Sequence, residues 1–351
     1  MEGRVAIRYI GSKARVAKAI MAEIGVPRSS DGIFVDAFAG TGAVACEAVA
    51  NGWRVRLNDH LVSAGVLAGA RVTSAGSATF SKLGGYEAVL ERLNSIDPVR
   101  GFIWRSYTPA SVASGAVERR YFTEDNGKRI DAIRAEIGRM HDSGETNTAE
   151  NRVLLADLLE AANHVANTAG TYGCYLSDWI PSARRALHLR PRSLLEAKQE
   201  LEVLNLDVTR VPIGPSDVVY YDPPYTKRQY AAYYHVLETI ALGDEPEIGG
   251  KTGLRAWRHK ASDFCYKSRA LHAIVSLVIE AQARRVYLSY SSDGHVAMDQ
   301  LVDALAREGR ISVVPLGAIG RYRPNAEASN TADHVVEYLI SFEKRDSSRL
   351  A

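Results

Sequence analysis

The densest chemistry in the sequence lies in Val218-Val219-Tyr220-Tyr221-Asp222-Pro223-Pro224-Tyr225. An apolar, β-branched run feeds into an acid, two prolines and an aromatic. The run reads as a buried strand. Neither proline donates a backbone N–H, so ladder pairing stops there, and the first proline holds Asp222 extended. The expected product is a stiff turn at the carboxyl end of a strand, where open α/β sheets bind ligands. It presents a carboxylate, two carbonyls with no competing N–H, and a flat ring. Those parts suit a planar base with an exocyclic amine. Asp222 accepts one amine hydrogen, a proline carbonyl accepts the other, and Tyr225 stacks on the base. Two acceptors off the ring plane would draw the amine towards a tetrahedral shape and aim its lone pair at an electrophile. That is catalysis by positioning and electrostatics, without a covalent enzyme intermediate. Taken alone, the four residues also describe an ordinary strand-ending Asp-Pro-Pro turn.

Three earlier stretches supply further ligand chemistry. In Gly32-Ile33-Phe34-Val35-Asp36-Ala37-Phe38-Ala39-Gly40-Thr41-Gly42 a strand enters a Gly-x-Gly turn, and Ala43 to Ala50 follow as a small-residue helix. Glycines admit close backbone approach, and the helix start offers free N–H groups. The third glycine of a dinucleotide fingerprint is missing, as is a Gly-Lys-Ser, so the turn stays open between tight packing and ligand contact. Asp36 is suited to accept from an ammonium. The next strand, Trp53 to Asp59, ends in an acid placed for the two hydroxyls of a ribose; capping the Leu61–Ala70 helix is the alternative. Arg8-Tyr9-Ile10-Gly11-Ser12-Lys13 precedes an amphipathic helix through Val16, Ile20 and Ile24. Lys13 stands where a helix dipole favours anions. Either a carboxylate or phosphate settles beside it, or it is a surface lysine at a frayed end.

These stretches need elements to position them. The 351 residues are 46% hydrophobic, 24% charged and 8% aromatic, enough for a large core, and the net charge of +2 neither demands nor excludes a nucleic acid. There is no apolar run of membrane-spanning length and no leader-like start, and Cys46, Cys174 and Cys265 lack metal-ligand spacing; the expectation is a cytoplasmic, metal-free protein with free thiols. Strand–helix alternation marks an α/β core at 1–72 and 201–345. Between them, 73–200 reads as a mainly helical insertion, with helical spacing at Tyr86–Leu93, Asn126–His141 and Asn151–Asn167. Its far end, Ser182 to Arg192, carries Arg184, Arg185, Arg190 and Arg192 and no acid, which suits phosphates and guanine edges. Gln229–Leu242 reads as a helix. A second basic stretch within 244–269, with Lys251, Arg255, Arg258 and Lys260 interleaved with Trp257 and Tyr266, suits a nucleic-acid backbone and stacked bases; a surface loop anchored by Trp257 is the plainer alternative. Two late strands, Ile311–Leu316 and Val335–Phe342, flank a basic loop with Arg321, Tyr322 and Arg323.

In this order the blocks resemble the α-group, Dam-like (D12 class) DNA adenine-N6 methyltransferases. Tyr121-Phe122-Thr123-Glu124-Asp125-Asn126-Gly127-Lys128-Arg129-Ile130-Asp131, Arg228-Gln229-Tyr230 through Glu238-Thr239-Ile240, and Gly249-Gly250-Lys251-Thr252-Gly253-Leu254-Arg255 are similar to the FokI-type modification methyltransferases. The resemblance covers nearly the whole chain, with one Asp-Pro-Pro-Tyr and the length of one catalytic unit. It implies a Rossmann-like, mixed seven-stranded sheet with a late antiparallel hairpin, plus a helical target-recognition insertion. It implies S-adenosylmethionine as cofactor. Tyr9 and Lys13 would touch it, Asp36, Phe38, Ala39, Gly40, Thr41 and Gly42 would line its methionine end, and Asp59 would hold its ribose. Asp207 would meet its adenine amine, although Val208 follows where an aromatic is common. Asp222, Pro223, Pro224 and Tyr225 would form the catalytic clamp. The arginines at 184, 185, 190, 192 and 228, with Lys251, Arg255, Arg258 and Lys260, would meet double-stranded DNA. A monomer is expected, with a restriction endonuclease as a potential companion.

The expected reaction is methyl transfer to N6 of an adenine flipped out of duplex DNA. Serine usually stands at the Asp222 position in cytosine-N4 enzymes, and none of the cysteines follows a proline as cytosine-C5 chemistry requires. An RNA adenine methyltransferase, a non-catalytic DNA-binding relic and a dinucleotide-dependent oxidoreductase remain as rivals. The oxidoreductase leaves Asp222 to Tyr225 unexplained.

Overall fold

The computed structural model describes residues 9–196, 201–283, 285–319 and 335–345; Arg8 and the basic loop around Arg321, Tyr322 and Arg323 lie outside them. The strands are β1 (Phe34–Asp36), β2 (Val55–Asn58), β3 (Leu201–Leu204), β4 (Val218–Tyr221), β5 (Ile248–Gly249), β6 (Leu254–Arg255), β7 (Arg285–Ser291), β8 (Gly309–Ile319) and β9 (Val335–Lys344). Contacts divide the chain into two compact units.

One unit is drawn from Ile10–His60, Gln199–Gln229 and Lys260–Ala351. It holds a seven-stranded sheet in the order β3-β2-β1-β4-β7-β9-β8. The first five strands run parallel, and β9 is antiparallel to both β7 and β8, so the expected mixed sheet with a late antiparallel hairpin is present. Every residue of β1, β4 and β7 is buried, as required of strands covered on both faces. The covering helices are α1 (Ala17–Ile24), α2 (Ala43–Ala50), α10 (Lys267–Glu280) and α11 (Met298–Glu308). Val219, Val286, Leu288 and Ile340 share one core with Ile274, Val278, Leu301 and Leu305. From β1 the chain steps outward to β2 and β3, then returns to lay β4 against the other side of β1. The β1–β4 seam is therefore the topological switch point, and the crevice beyond its carboxyl ends is where such sheets take ligands.

The other unit gathers Met1–Tyr9, Leu61–Lys198 and Tyr230–His259. Its helices are α3 (Val62–Arg71), α4 (Tyr86–Asn94), α5 (Phe102–Tyr107), α6 (Glu124–Asp142), α7 (Thr148–His164), α8 (Tyr230–Tyr233) and α9 (His235–Leu242). Ile130, Ile133, Ile137, Val153, Leu154, Leu158, Val236, Leu237 and Ile240 pack into a common core. Local capping sets the ends. Thr123 accepts the Asn126 N–H at 3.3 Å, and Asn147 and Glu150 form a reciprocal capping box. At the start of α3, buried Glu238 accepts the Val62 and Ser63 N–H groups at 3.0 and 2.9 Å and the Ser63 hydroxyl at 2.8 Å. The helix expected over 229–242 is broken into α8 and α9 at Tyr234. The stretch 248–255, within the segment whose plainer reading was a surface loop, is a short hairpin. Arg119 donates to the carbonyls of Gly250 and Lys251 at 3.1 and 3.3 Å, and Tyr107 donates to that of Gly253 at 3.1 Å.

Arg192 is spent inside this unit. Its Nε lies 2.9 Å from Asp157, whose side chain is 0% exposed, and Nη2 lies 3.4 Å from Glu160. The run 182–192 contains no acid, but α7 brings two to it. Removing one member of a buried pair strands the other charge, at about 3–5 kcal/mol. Arg192→Ala is expected to lose roughly that much stability in urea unfolding; a midpoint equal to the parent's would show the pair contributes nothing.

Candidate active site

Asp222 stands one residue beyond β4, and Asp36 ends β1. In the parallel register Asp36 is opposite Tyr220, so the two acids flank the switch-point crevice. The glycine turn follows directly. Gly40 and Gly42 have φ of 52° and 74°, a region open to glycine at little cost, and Gly42 is the residue before the first turn of α2. Half-buried Thr41 lies between them, and Ala39 is buried. The turn is tied to β2: the Ala39 N–H donates to the Asn58 carbonyl at 2.9 Å and the Gly40 N–H to Asp59 Oδ2 at 3.0 Å. Buried Asn58 bonds the Ala37 and Leu206 carbonyls at 3.2 Å each and accepts the Leu206 N–H at 2.9 Å. One side chain thus ties the ends of β1, β2 and β3 together. Phe38 packs edge-on against Phe264 and Tyr221, at 5.6 and 6.3 Å between centroids.

Asp36 is 1% exposed, and its Oδ1 has no hydrogen-bond partner. Burial, with Asp222 and Asp59 nearby, pushes its pKa up to about 8 against partial relief from the Phe38 and Ala45 N–H groups. A buried carboxylate with an unused acceptor is poised for a cationic donor. Asp207 lies just after β3 and accepts the Thr209 N–H and hydroxyl at 3.0 and 2.6 Å. Burial opposes its ionisation, but those bonds hold its pKa below the usual carboxylate range.

Lys13 is 5% exposed, and its Nζ lies 2.9 Å from both Asp222 Oδ1 and Glu337 Oε1. The anion sought beside this lysine comes from the protein itself, and the surface alternative falls. Burial opposes the ammonium's charge, yet Asp222, Tyr225 and Glu337 outweigh it and hold its pKa above the ordinary lysine value. Asp222 is raised by burial, with Lys13 pulling it back down and Glu337 pushing it further up. Lys13 Nζ also sits 5.2 Å from the centre of the Tyr225 ring.

The turn carrying Asp222, buried Pro223, Pro224 and Tyr225 is braced from two sides. The Tyr225 carbonyl accepts the His295 N–H at 2.8 Å, and the Tyr225 ring meets Tyr290 edge-on at 5.7 Å. Gln229 exchanges two hydrogen bonds with the Ser262 backbone, at 3.1 and 2.9 Å, and the Arg228 carbonyl accepts from Cys265 at 3.3 Å. Such bracing holds the turn in one geometry.

Tyr9 belongs to the helical unit, where it stacks on Tyr234 at 4.4 Å with rings 12° apart. Of the cations singled out for DNA, Arg184, Arg185, Arg190, Lys251 and Arg258 are exposed. Arg255 is paired with Asp244 at 2.6 Å and Lys260 donates to the His60 carbonyl at 2.8 Å. Trp257 packs against the helical core, which favours its role as an anchor. Sequence reasoning missed Glu337, Asn58 and Gln229. The available signal for Glu337 was a charge inside the apolar run Val335-Val336-Glu337-Tyr338-Leu339-Ile340. Among the described residues no group of three or more His, Cys, Asp or Glu could hold a metal, and no helix is long and apolar enough to cross a membrane.

The architecture and the blocks recur in known proteins. The family model of the D12 class N6 adenine-specific DNA methyltransferases matches residues 9–302. Type II methyltransferase M.NlaIII of Neisseria lactamica is 33% identical over 344 residues, 96% of this chain and 99% of its own. Type II methyltransferase M.CviAII of Paramecium bursaria Chlorella virus 1 is 34% identical over 343 residues, covering 95% and 97%. Type II methyltransferase M.FokI of Planomicrobium okeanokoites is 32% identical over 345 residues, 96% of this chain but 53% of its own, so the chain spans about half of that relative. With the sheet, the switch-point acids and this match in hand, the chain belongs to the D12 class of N6 adenine-specific DNA methyltransferases.

Proposed function

We propose that the protein is a site-specific modification enzyme that methylates N6 of an adenine flipped out of duplex DNA, using S-adenosylmethionine. The observation that carries the reading is the Asp36–Asp222 pair at the switch point, with an unsatisfied buried acceptor on Asp36. The residues fit the cofactor: Asp36 is a buried acid at the glycine turn with an acceptor oxygen left unused, suited to a cationic ligand.

Asp36 would hold the ammonium of the cofactor, the turn from Phe38 to Gly42 would lie against its methionine portion, and Asp59 would take the ribose hydroxyls. Asp207 would meet the adenine amine, with Lys13 completing the surroundings. When bound, the cofactor supplies an electrophilic methyl group on sulfur. Asp222 and the Pro223 carbonyl accept the two N6 hydrogens and leave the lone pair directed outward; Pro224 stiffens the turn and Tyr225 covers the base face. Asp222 then takes the proton that the methylated amine must shed. Flipping the adenine costs a few kcal/mol, regained in this pocket.

The helical unit is the proposed target-recognition part, and the catalytic core is the sheet unit. Exposed Arg184, Arg185, Arg190, Lys251 and Arg258, with Arg228 and Lys260, are the proposed DNA contacts; Arg192 and Arg255 act by holding the helical unit together. Each phosphate contact contributes about 0.9 to the slope of log affinity against log salt. Arg184→Ala, Arg185→Ala and Arg190→Ala combined should therefore reduce that slope by up to roughly 3; an unchanged slope removes this stretch from the interface. Tritiated methyl transfer to unmethylated genomic DNA, with RNA as the control, tests the activity. Label in N6-methyladenine of DNA is expected. Label in RNA alone, or none despite bound cofactor, would overturn the reading.

A further inference from the structure

Lys13 bonds one oxygen of the carboxylate proposed to hold the adenine amine. Its Nζ lies 2.9 Å from Asp222 Oδ1, one of the two acceptors available to the adenine amine. It also stands 5.2 Å from the centre of the Tyr225 ring. The lysine thus bonds the same carboxylate that the amine would bond. A target adenine can engage Asp222 fully only if the ammonium gives up that hydrogen bond. Lys13 is 5% exposed, so water cannot replace the lost partner, and a buried charge left without one is costly.

Glu337 resolves the conflict. It comes from β9, where its register partner is Ser291 of β7, and it is 2% exposed. Its Oε1 lies 2.9 Å from the same Nζ yet accepts no aligned hydrogen bond. The second carboxylate is thus within contact distance with acceptor capacity unused. Redirecting the ammonium's hydrogens from Asp222 to Glu337 needs little movement and keeps the lysine paired. The groups facing Lys13 are Asp222, Tyr225, Glu337 and Tyr220; of these only Glu337 is a carboxylate outside the proposed clamp.

We infer that Glu337 is a positioning residue that takes up the Lys13 ammonium when the target amine engages Asp222. The inference rests on the reading of Asp222 as the N6 acceptor. Without the Glu337 charge, Lys13 stays on Asp222 and competes with the base. The effect falls on the bound complex, so kcat drops while cofactor affinity holds.

The test is a cycle of Glu337→Gln, Lys13→Met and the double variant. Single-turnover methylation of unmethylated genomic DNA is read alongside calorimetric binding of S-adenosylmethionine, which also reports that each variant is folded. Glu337→Gln is expected to lower the transfer rate roughly tenfold to a hundredfold, the usual size for groups that orient a reacting residue, with unchanged cofactor affinity. Glu337→Asp should recover part of the rate. In the Lys13→Met background, Glu337→Gln should cost nothing further, because no ammonium remains to be taken up. A parent-like rate in Glu337→Gln, or losses that multiply in the double variant, would overturn the inference. A parent enzyme that binds cofactor but leaves adenine unmodified would overturn the reading beneath it, and this inference with it.

Discussion

Asp222→Ala is expected to abolish methyl transfer while cofactor binding survives. The side chain follows β4, every residue of which is buried, on a turn held by Gln229, His295 and Cys265. Removing it should not move that turn, because none of those bonds uses the carboxylate. What disappears is the proposed acceptor for the N6 hydrogens. Deleting one preorganised group aimed at developing charge costs about 10²–10³ in kcat; here the same group also takes up the proton, so the loss should be at the upper end or beyond. Cofactor affinity should hold or improve, since Asp222 is one of the charges that raise the Asp36 pKa. Lys13 keeps Glu337 as a partner, so the fold should survive. The check is single-turnover methylation beside calorimetric titration with S-adenosylmethionine. Transfer at near the parent rate would remove Asp222 from the chemistry.

Asp36→Asn should do the opposite: chemistry is untouched in principle, but the cofactor no longer binds well. Truncating a buried, hydrogen-bonded charge pair costs about 2–5 kcal/mol, which is roughly 30-fold or more in affinity. The pKa of about 8 adds a proton signature. Below pH 8 the empty protein holds a proton on Asp36, and pairing with an ammonium expels it. Cofactor affinity should therefore rise with pH up to about 8, and binding at pH 7 should release close to one proton, read by calorimetry in buffers of different ionisation enthalpy. The variant should release none from this site. Stability of the cofactor-free protein follows the same linkage with its own sign. The folded pKa lies above the unfolded value of 3.8, so between about pH 4 and 8 the unfolded chain is ionised while the native one keeps its proton. Asp36 thus lowers native stability progressively as pH rises across that window. Asp36→Asn should melt higher than the parent near pH 8 without cofactor. No proton release by the parent would contradict this assignment.

The strand–turn pieces of the site were legible because each is written in neighbouring residues. Val218 to Tyr221 is an apolar run closed by prolines, and Phe34 to Gly42 is an apolar run closed by a glycine turn; both became the strands and turns expected. The alternation of strands and helices announced an α/β core, whereas the mixed sheet with its late antiparallel hairpin was expected from the family resemblance. What could not be read was the set of partners brought from afar. Lys13 is paired by Glu337 from β9, and no residue near Lys13 in the sequence points to that partner. Arg192 looked free because its acids lie on α7. Arg255 looked like a DNA contact, but a bend after α9 brings Asp244 to it. Short elements escaped for another reason. The six residues of α5 and the two-residue strands of the 248–255 hairpin carry too little periodicity to register. The hairpin loop is held by Arg119, Tyr107 and Tyr121, which donate to its carbonyls.

The claim beneath all of this is that the crevice at the β1–β4 seam delivers a methyl group to the exocyclic amine of adenine in DNA. The most direct measurement is single-molecule sequencing of genomic DNA from a methylation-free host expressing this chain, with Asp222→Ala as the control. N6-methyladenine is expected, confined to one short sequence motif and absent from the control. Unmodified DNA from a host that makes folded, cofactor-binding protein, or modification on cytosine, would contradict it.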